Sequence, residues 1–435
     1  MKILSADNPY IREFIKYSLP ILVIGIISRT FPLTSPTYFI VPVLLILNIL
    51  LAIGLINHTR ESLTNISIIL VFPAYCLITS IWSLNPAISF QRSLYLLLLY
   101  AGILSSVLLY KRFFPDKGLG FLIPANFIIL FLSAISLIFN IPADSWTGGN
   151  GLGFMGFAGH QNTLAAALLF TLPVLLAYKT KDKSTKIKVS EIFYFLLLIF
   201  NFLLLFLTYS RASILALGVG IITYLLLTKS KKILLLLFSI TALLLIFYFT
   251  IPFIQNSIDK VLNKDGGNIL GRRTVLWEPS LEAAKMGGIF GLGYGVSAPD
   301  IITPIKTGSH YEDGRYVREK GNSVLAMIEE TGYFGLLLFL LPVILLLGKF
   351  KIQKSKFKIA PDHSTFYIVN CTLVAMFVHA QFEAWWVGAG SITLPLFLIF
   401  LFTLIYLSST GINSRVCRSV ASKSIYKTLY KYMRM

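Results

Sequence analysis

The chain has 435 residues, 56% of them hydrophobic and only 13% charged, with a mean hydropathy of +0.77 and a formal charge of +19. So apolar a composition cannot clothe itself for water, which excludes a soluble globular domain and a disordered chain and leaves a polytopic membrane protein. The charge excess then calls for a topological reason or an anionic partner.

A hydrocarbon core of roughly 30 Å takes about 20 apolar residues of helix to cross. Backbone polar groups in lipid must be satisfied within their own segment. The predicted fold is therefore all-α, a transmembrane bundle of about 12 helices. In chain order the spans are 17–31, 38–57, 65–82, 93–110, 120–140, 161–178, 192–208, 212–228, 233–251, 323–348, 366–384 and 391–408. They divide the chain into a first block at 1–251 with about nine spans, a long outward loop at 252–322, and a last block at 323–435 with about three spans and a basic tail. No positively charged start, short apolar core and small-residue cleavage site precede the first span, so the amino terminus is expected to be retained.

Lys and Arg accumulate on the cytoplasmic side of membrane proteins. With these spans, the connectors assigned inside hold 26 Lys plus Arg and 7 Asp plus Glu, whereas the rest of the chain holds 12 of each. The entire excess lies on one face. It is read as topology and contact with anionic lipid, not as nucleic-acid binding, and it predicts cytoplasmic termini. The loop at 252–322 falls outside, with nine basic and eight acidic residues.

Four outward stretches carry the polar chemistry. NPAISFQRS (Asn85–Ser93) comes first. The next, GGNGLGFMGFAGHQN (Gly148–Asn162), ends at a helix entry where Asn162 is predicted to cap free amides and His160 faces solvent or substrate. The YSRAS turn (Tyr209–Ser213) carries Arg211, a cation at the membrane boundary that is read as an anion ligand, the alternative being an arginine snorkelling to headgroups. The long loop follows. In its run GRRTVLWEP, a helix would put Arg273 and Trp277 on one face and offer Arg272, Arg273 and a helix N-terminus to a phosphate; a surface charge cluster is the other reading. GLGYG (Gly291–Gly295) lacks the βαβ unit of a dinucleotide fingerprint, so its glycines are assigned to tight turns or to close backbone approach to a ligand.

Further on, Glu329 and Glu330 enter a span, where carboxylates are costly unless paired. One is expected to meet Arg211 or Arg272, either as a salt bridge holding the loop down or in direct chemistry. Glu383, with Trp385 and Trp386, is read as marking the opposite rim, the tryptophans being interfacial anchors. Cys76, Cys371 and Cys417 predict no outward disulfide. The scattered histidines match no metal-ligand spacing, so the expected mechanism is metal-independent.

Taken in order, SLNPAISFQRS, GFAGHQNTLA, SRASILAL, GRRTVLW, GLGYG and GNSVLAMIEETGYFG resemble the landmarks of the O-antigen ligase and Wzy-type polysaccharide polymerase superfamily of bacterial envelope enzymes. The resemblance spans most of the chain and rests on the order and membrane placement of short motifs. It implies a glycosyltransferase of the bacterial cytoplasmic membrane that transfers or polymerises polyprenyl (undecaprenyl) pyrophosphate-linked oligosaccharide at the outer face, inverting at the anomeric carbon and using no cofactor. Arg211 and Arg272 match the family's pyrophosphate ligands, where fixed cations stabilise charge as the leaving group departs. The wider candidate binding set is Arg273, His160, Asn162, Arg315, Arg318 and Asn322.

The family carries a histidine directly before the asparagine of its last outward motif, associated with acceptor activation. This chain has Gly321 there. His310 is then the expected base, ahead of Glu312, Asp313 and Glu319, because an unperturbed imidazole titrates at about 6.5; Glu330 is the second candidate catalytic residue. The missing histidine favours polymerase over ligase. Implied partners are the lipid-linked glycan, an acceptor glycan or lipid, membrane lipids, and a flippase and chain-length regulator. A flippase or transporter for the same glycan is the competing class, disfavoured because carriers place their sites near the midplane.

Overall fold

The computed structural model describes residues 8–28, 37–55, 60–141, 153–175, 189–228, 250, 252, 255–256, 272–298, 320–353, 363–388 and 390–407. Among these residues the chain is all-helical, with no strands. Twelve α-helices are described: α1 (Pro9–Ser28), α2 (Thr37–Leu55), α3 (Arg60–Ile78), α4 (Pro86–Phe113), α5 (Ile123–Phe139), α6 (Gln161–Thr171), α7 (Val189–Leu207), α8 (Arg211–Thr228), α9 (Arg272–Gly287), α10 (Ser323–Gln353), α11 (His363–Ala380) and α12 (Thr393–Leu407). Among the described residues four stretches are long and apolar enough to cross a membrane: Pro86–Phe113, Gly120–Phe139, Arg211–Thr228 and Ser323–Leu345.

The count agrees with the sequence, but its membership differs. The span at 233–251 lies, but for Thr250, outside the described residues, and α9 arises within the long loop. The first helix begins at Pro9, well before 17, and the helix predicted over 366–384 ends at Ala380, where Gln381 and Phe382 turn back onto the carbonyls of Val378 and His379.

Helix faces explain the packing. On α2, Val41, Leu45, Asn48, Ala52 and Leu55 are buried at alternating spacings of four and three, while Val43, Leu47, Leu50 and Ile53 are exposed. One stripe meets α1 and α4, and an apolar outer face is what lipid requires. The polar exception, Asn48, is satisfied within the bundle by Ser18 Oγ–H and the Leu44 carbonyl. By contrast α12 has no outer face: Leu394, Leu396, Leu398, Ile399, Phe400 and Phe402 are all 0% exposed. Its aromatic rings meet Tyr100 of α4, Phe339 of α10 and Phe377 of α11. It is the axis of the bundle. Around it α8 packs on α11, α3 on α4 and α10, and α9 on α10.

The run of α10 is broken at Gly332, whose φ of 73° and ψ of 178° are not helical. The break frees carbonyls and amides that a continuous helix would use internally. Segment 288–293 takes them up: Leu292 and Gly293 donate to the carbonyls of Glu329 and Glu330 at 2.9 and 3.0 Å, and Tyr333 and Phe334 donate to those of Gly288 and Ile289 at 3.1 Å. Only glycine fits at the break, because a Cβ on Gly332 would overlap the Ile289 carbonyl in a left-handed conformation. Gly332→Ala is therefore expected to cost about 2–3 kcal/mol, seen as a lower unfolding midpoint in detergent micelles.

Candidate functional site

The docked segment continues into GLGYG, which is wedged between α10 and the α3–α4 connector. Trp82 Nε1–H donates to the Gly291 carbonyl, Leu84 N–H to that of Leu292, and Tyr294 N–H to Thr79 Oγ1. The glycines do allow close backbone approach, but to the protein itself: a Cβ on Gly291 would overlap the Glu330 carbonyl. Tyr294 is fully buried and donates to the Val387 carbonyl at 2.9 Å, and Arg92 donates to the Gly295 carbonyl. Thus NPAISFQRS, GLGYG and the connector after α11 meet at one end of the bundle.

Two charged clusters are built on this frame. In the first, Lys320 Nζ reaches Glu330 Oε1 at 2.6 Å and Glu329 Oε2 at 3.4 Å, with all three side chains at most 7% exposed. The remaining oxygens accept backbone amides, Glu330 Oε2 from Gly295 at 2.6 Å and Glu329 Oε1 from Ala298 at 2.9 Å. Both glutamates therefore pair with Lys320, three residues before α10.

The second cluster joins α6, α9 and the connector after α11. Helix α9 forms over the GRRTVLW run, so Arg273 and Trp277 share a face as the i, i+4 spacing requires. Arg273 donates to Glu383 Oε1, and Trp277 donates to the Gly321 carbonyl at 3.1 Å while its ring meets Phe382. Asn162 Nδ2–H also donates to Glu383 Oε1, at 2.8 Å. The cap of α6 is His160, whose Nδ1 accepts the Asn162 amide at 3.2 Å; Asn162, predicted to be the cap, is freed to reach across. Burial alone would raise the pKa of Glu383, which lies beyond the end of α11, but Arg273, His379 and His160 outweigh it and hold the carboxyl below its ordinary value of 4.5.

Between the clusters opens a cleft of about 610 Å³ lined by Arg92, His160, Asn162, Lys320, Glu330, His379 and Glu383 among others. Among the described residues no three His, Cys, Asp or Glu gather as metal ligands. Of the expected site residues, His160, Asn162 and Glu330 line the cleft, and Arg273 adjoins it through Glu383. Asn322 accepts the amides of Val324 and Leu325 as the α10 cap and donates to the Gln381 carbonyl. Arg211 heads α8, partly buried, at a turn tied to the α6 approach by Phe154 N–H on the Leu207 carbonyl. Arg272 is the first residue of α9, its side chain outside the description; His310, Glu312, Asp313, Arg315, Arg318 and Glu319 lie outside the described residues.

The O-antigen ligase family model matches residues 195–340, from α7 through the first half of α10. That match, to part of the chain, supports its similarity to the O-antigen ligase/Wzy superfamily. At the coarse level the similarity supports a glycosyl-transferring ligase- or polymerase-type activity on lipid-linked glycan in an integral membrane protein. No curated protein matches the chain.

Gly321, where the O-antigen ligase/Wzy pattern has histidine, has no room for a side chain: a Cβ there would stand 2.8 Å from Leu276 Cβ. Four cleft residues are not among the site residues read from the sequence: Arg92, Lys320, His379 and Glu383. Glu383 was read as a rim marker beside interfacial tryptophans. Instead Trp385 and Trp386 are 5% and 1% exposed and pack on Phe397, Phe339 and Phe377, because the connector folds inward to deliver the enclosed α12. The available signal was a carboxylate next to two large aromatics outside any basic connector.

Removing Lys320 takes away the cation that two buried carboxylates share. Lys320→Met should cost about 3–5 kcal/mol, and adding Glu330→Gln should recover part of it, measured as unfolding midpoints in detergent. Because the pKa of Glu383 is depressed in the fold, its stabilisation is complete above 4.5 and is lost as pH falls through the folded value. The melting-temperature gap between wild type and Glu383→Gln should therefore close on acidification below that point.

Proposed function

We propose that this protein is an integral-membrane glycosyltransferase that polymerises polyprenyl-pyrophosphate-linked oligosaccharide repeat units at the outer face of the bacterial cytoplasmic membrane. One observation carries the reading: a polar cleft gathers Arg92, His160 and Lys320 from connectors that the sequence assigns to one side, together with Glu330 of α10 and Glu383 just after α11. The asymmetry of Lys and Arg supports cytoplasmic termini and an outward cleft.

In this reading the pyrophosphate binds at the cationic edge, with Arg211 and Arg272 as its principal ligands and Arg273 held ready by Glu383. Guanidinium groups suit the task because their planar donors match phosphate oxygens, and they count most where charge develops on the departing group. The glycan occupies the cleft, where His160, Asn162 and Arg92 offer hydrogen bonds to its hydroxyls. The reaction inverts the anomeric carbon and draws its driving force from the pyrophosphate linkage, with neither metal nor ATP. Ligation to a lipid or protein acceptor is the second reading, favoured by the description of the matched family as an O-antigen ligase.

Purified protein in liposomes with a polyprenyl pyrophosphate glycan should yield longer glycan and released polyprenyl pyrophosphate without ATP. Translocation of intact lipid-linked glycan would instead indicate a carrier. Supplying a lipid-linked repeat or a lipid A core sugar as acceptor separates polymerase from ligase. Arg211→Ala and Arg272→Ala should each slow pyrophosphate release roughly 10²–10³-fold; unchanged rates would remove both from the binding set.

A further inference from the structure

The transfer proposed above needs a group to take the proton of the acceptor hydroxyl. Among the described residues, six titratable side chains line the cleft: Arg92, His160, Lys320, Glu330, His379 and Glu383. Arginine and protonated lysine only donate. His160 Nδ1 accepts the Asn162 amide and His379 Nδ1 accepts the Trp385 indole N–H, at 3.2 Å each. A neutral imidazole whose Nδ1 accepts carries its proton on Nε2, so both rings can only donate through their other nitrogen. Both oxygens of Glu330 are engaged, by Lys320 and by Gly295 N–H.

Glu383 differs. Its Oε1 receives both Arg273 and Asn162, whereas its Oε2 has no hydrogen-bond partner among the described residues, and the side chain is 26% exposed. Two donors converging on one oxygen fix the carboxylate and leave the other without a protein donor, on a residue that lines the cleft. The backbone is held as firmly: Ser323 Oγ–H donates to the Glu383 carbonyl at 2.6 Å and Asn322 to that of Gln381 at 3.0 Å. A base held by hydrogen bonds, ionised at neutral pH and open on one atom meets the geometric demand of general base catalysis.

Resting on the glycosyl-transfer reading, we propose that Glu383 is the general base that activates the acceptor hydroxyl. The acceptor oxygen bonds to the anomeric carbon as that carbon's bond to the pyrophosphate oxygen breaks. The bonding pair leaves with the pyrophosphate, and the hydroxyl proton passes to Glu383 Oε2 and then to water. Arg273 and Asn162 position the carboxylate, and Arg273 keeps it ionised.

The test uses the full chain in liposomes with a polyprenyl pyrophosphate glycan and two alternative nucleophiles, a sugar hydroxyl acceptor and azide, which has no proton to lose. Glu383→Gln keeps an acceptor oxygen for Arg273 and Asn162 but cannot take the proton. It should cut transfer to the hydroxyl roughly 10²–10⁴-fold while glycosyl azide forms near the wild-type rate, and Glu383→Asp should restore part of the hydroxyl reaction. Undiminished transfer to the hydroxyl by Glu383→Gln overturns the assignment, as does equal loss with both nucleophiles, which would make Glu383 a binding or structural group. A wild-type protein that releases no polyprenyl pyrophosphate with either nucleophile overturns the glycosyl-transfer reading itself, and the base assignment with it.

Discussion

The buried cluster of Lys320, Glu329 and Glu330 depends on the interruption of one helix. Where α10 stops being helical at Gly332, backbone groups on both sides of the break become available, and the segment from Gly288 to Gly293 answers them with four hydrogen bonds. In a medium without water such groups cannot stay unpaired, so the break and the docked segment require each other. Irregular backbone at depth is tolerated where it is buried in protein or lines a cavity. Here it does both, forming a floor from which Gly295 N–H holds Glu330 and Ala298 N–H holds Glu329.

On that floor the charges are arranged in two ways. Lys320, Glu329 and Glu330 are nearly sealed and fully engaged, a brace whose value lies in fixing the loop against α10 more than in net stability. Arg273, Asn162 and Glu383 are looser and partly open to the cleft. One cluster is saturated and the other keeps an unused oxygen, and that difference separates holding the site together from acting within it.

The bundle was legible because hydrophobic length is a local property, and spans such as 93–110 and 212–228 lie inside α4 and α8. Helix α9 was not read as an element because it is short, carries Pro279 and has no apolar run; only the Arg273–Trp277 spacing hinted at it. Pairings across the chain left no trace of this kind. Arg273 and Glu383 are 110 positions apart, and nothing in either neighbourhood names the other. The tryptophans after Glu383 misled because their type suits a membrane surface, whereas their place was decided by how the chain enters α12. The glycines of GLGYG signalled close approach correctly and left its object open.

The enclosure of α12 has a consequence for how the protein is made. The helix at the centre of the bundle is the last of those described to emerge from the ribosome, so during synthesis the earlier helices surround a space with no occupant. Until Thr393–Leu407 arrives, the inner faces of α4, α10 and α11 have only lipid or one another to touch. Final packing, and with it the cleft that the connector to α12 completes, is therefore postponed until that helix has been made, which leaves the half-built bundle without an assembled site.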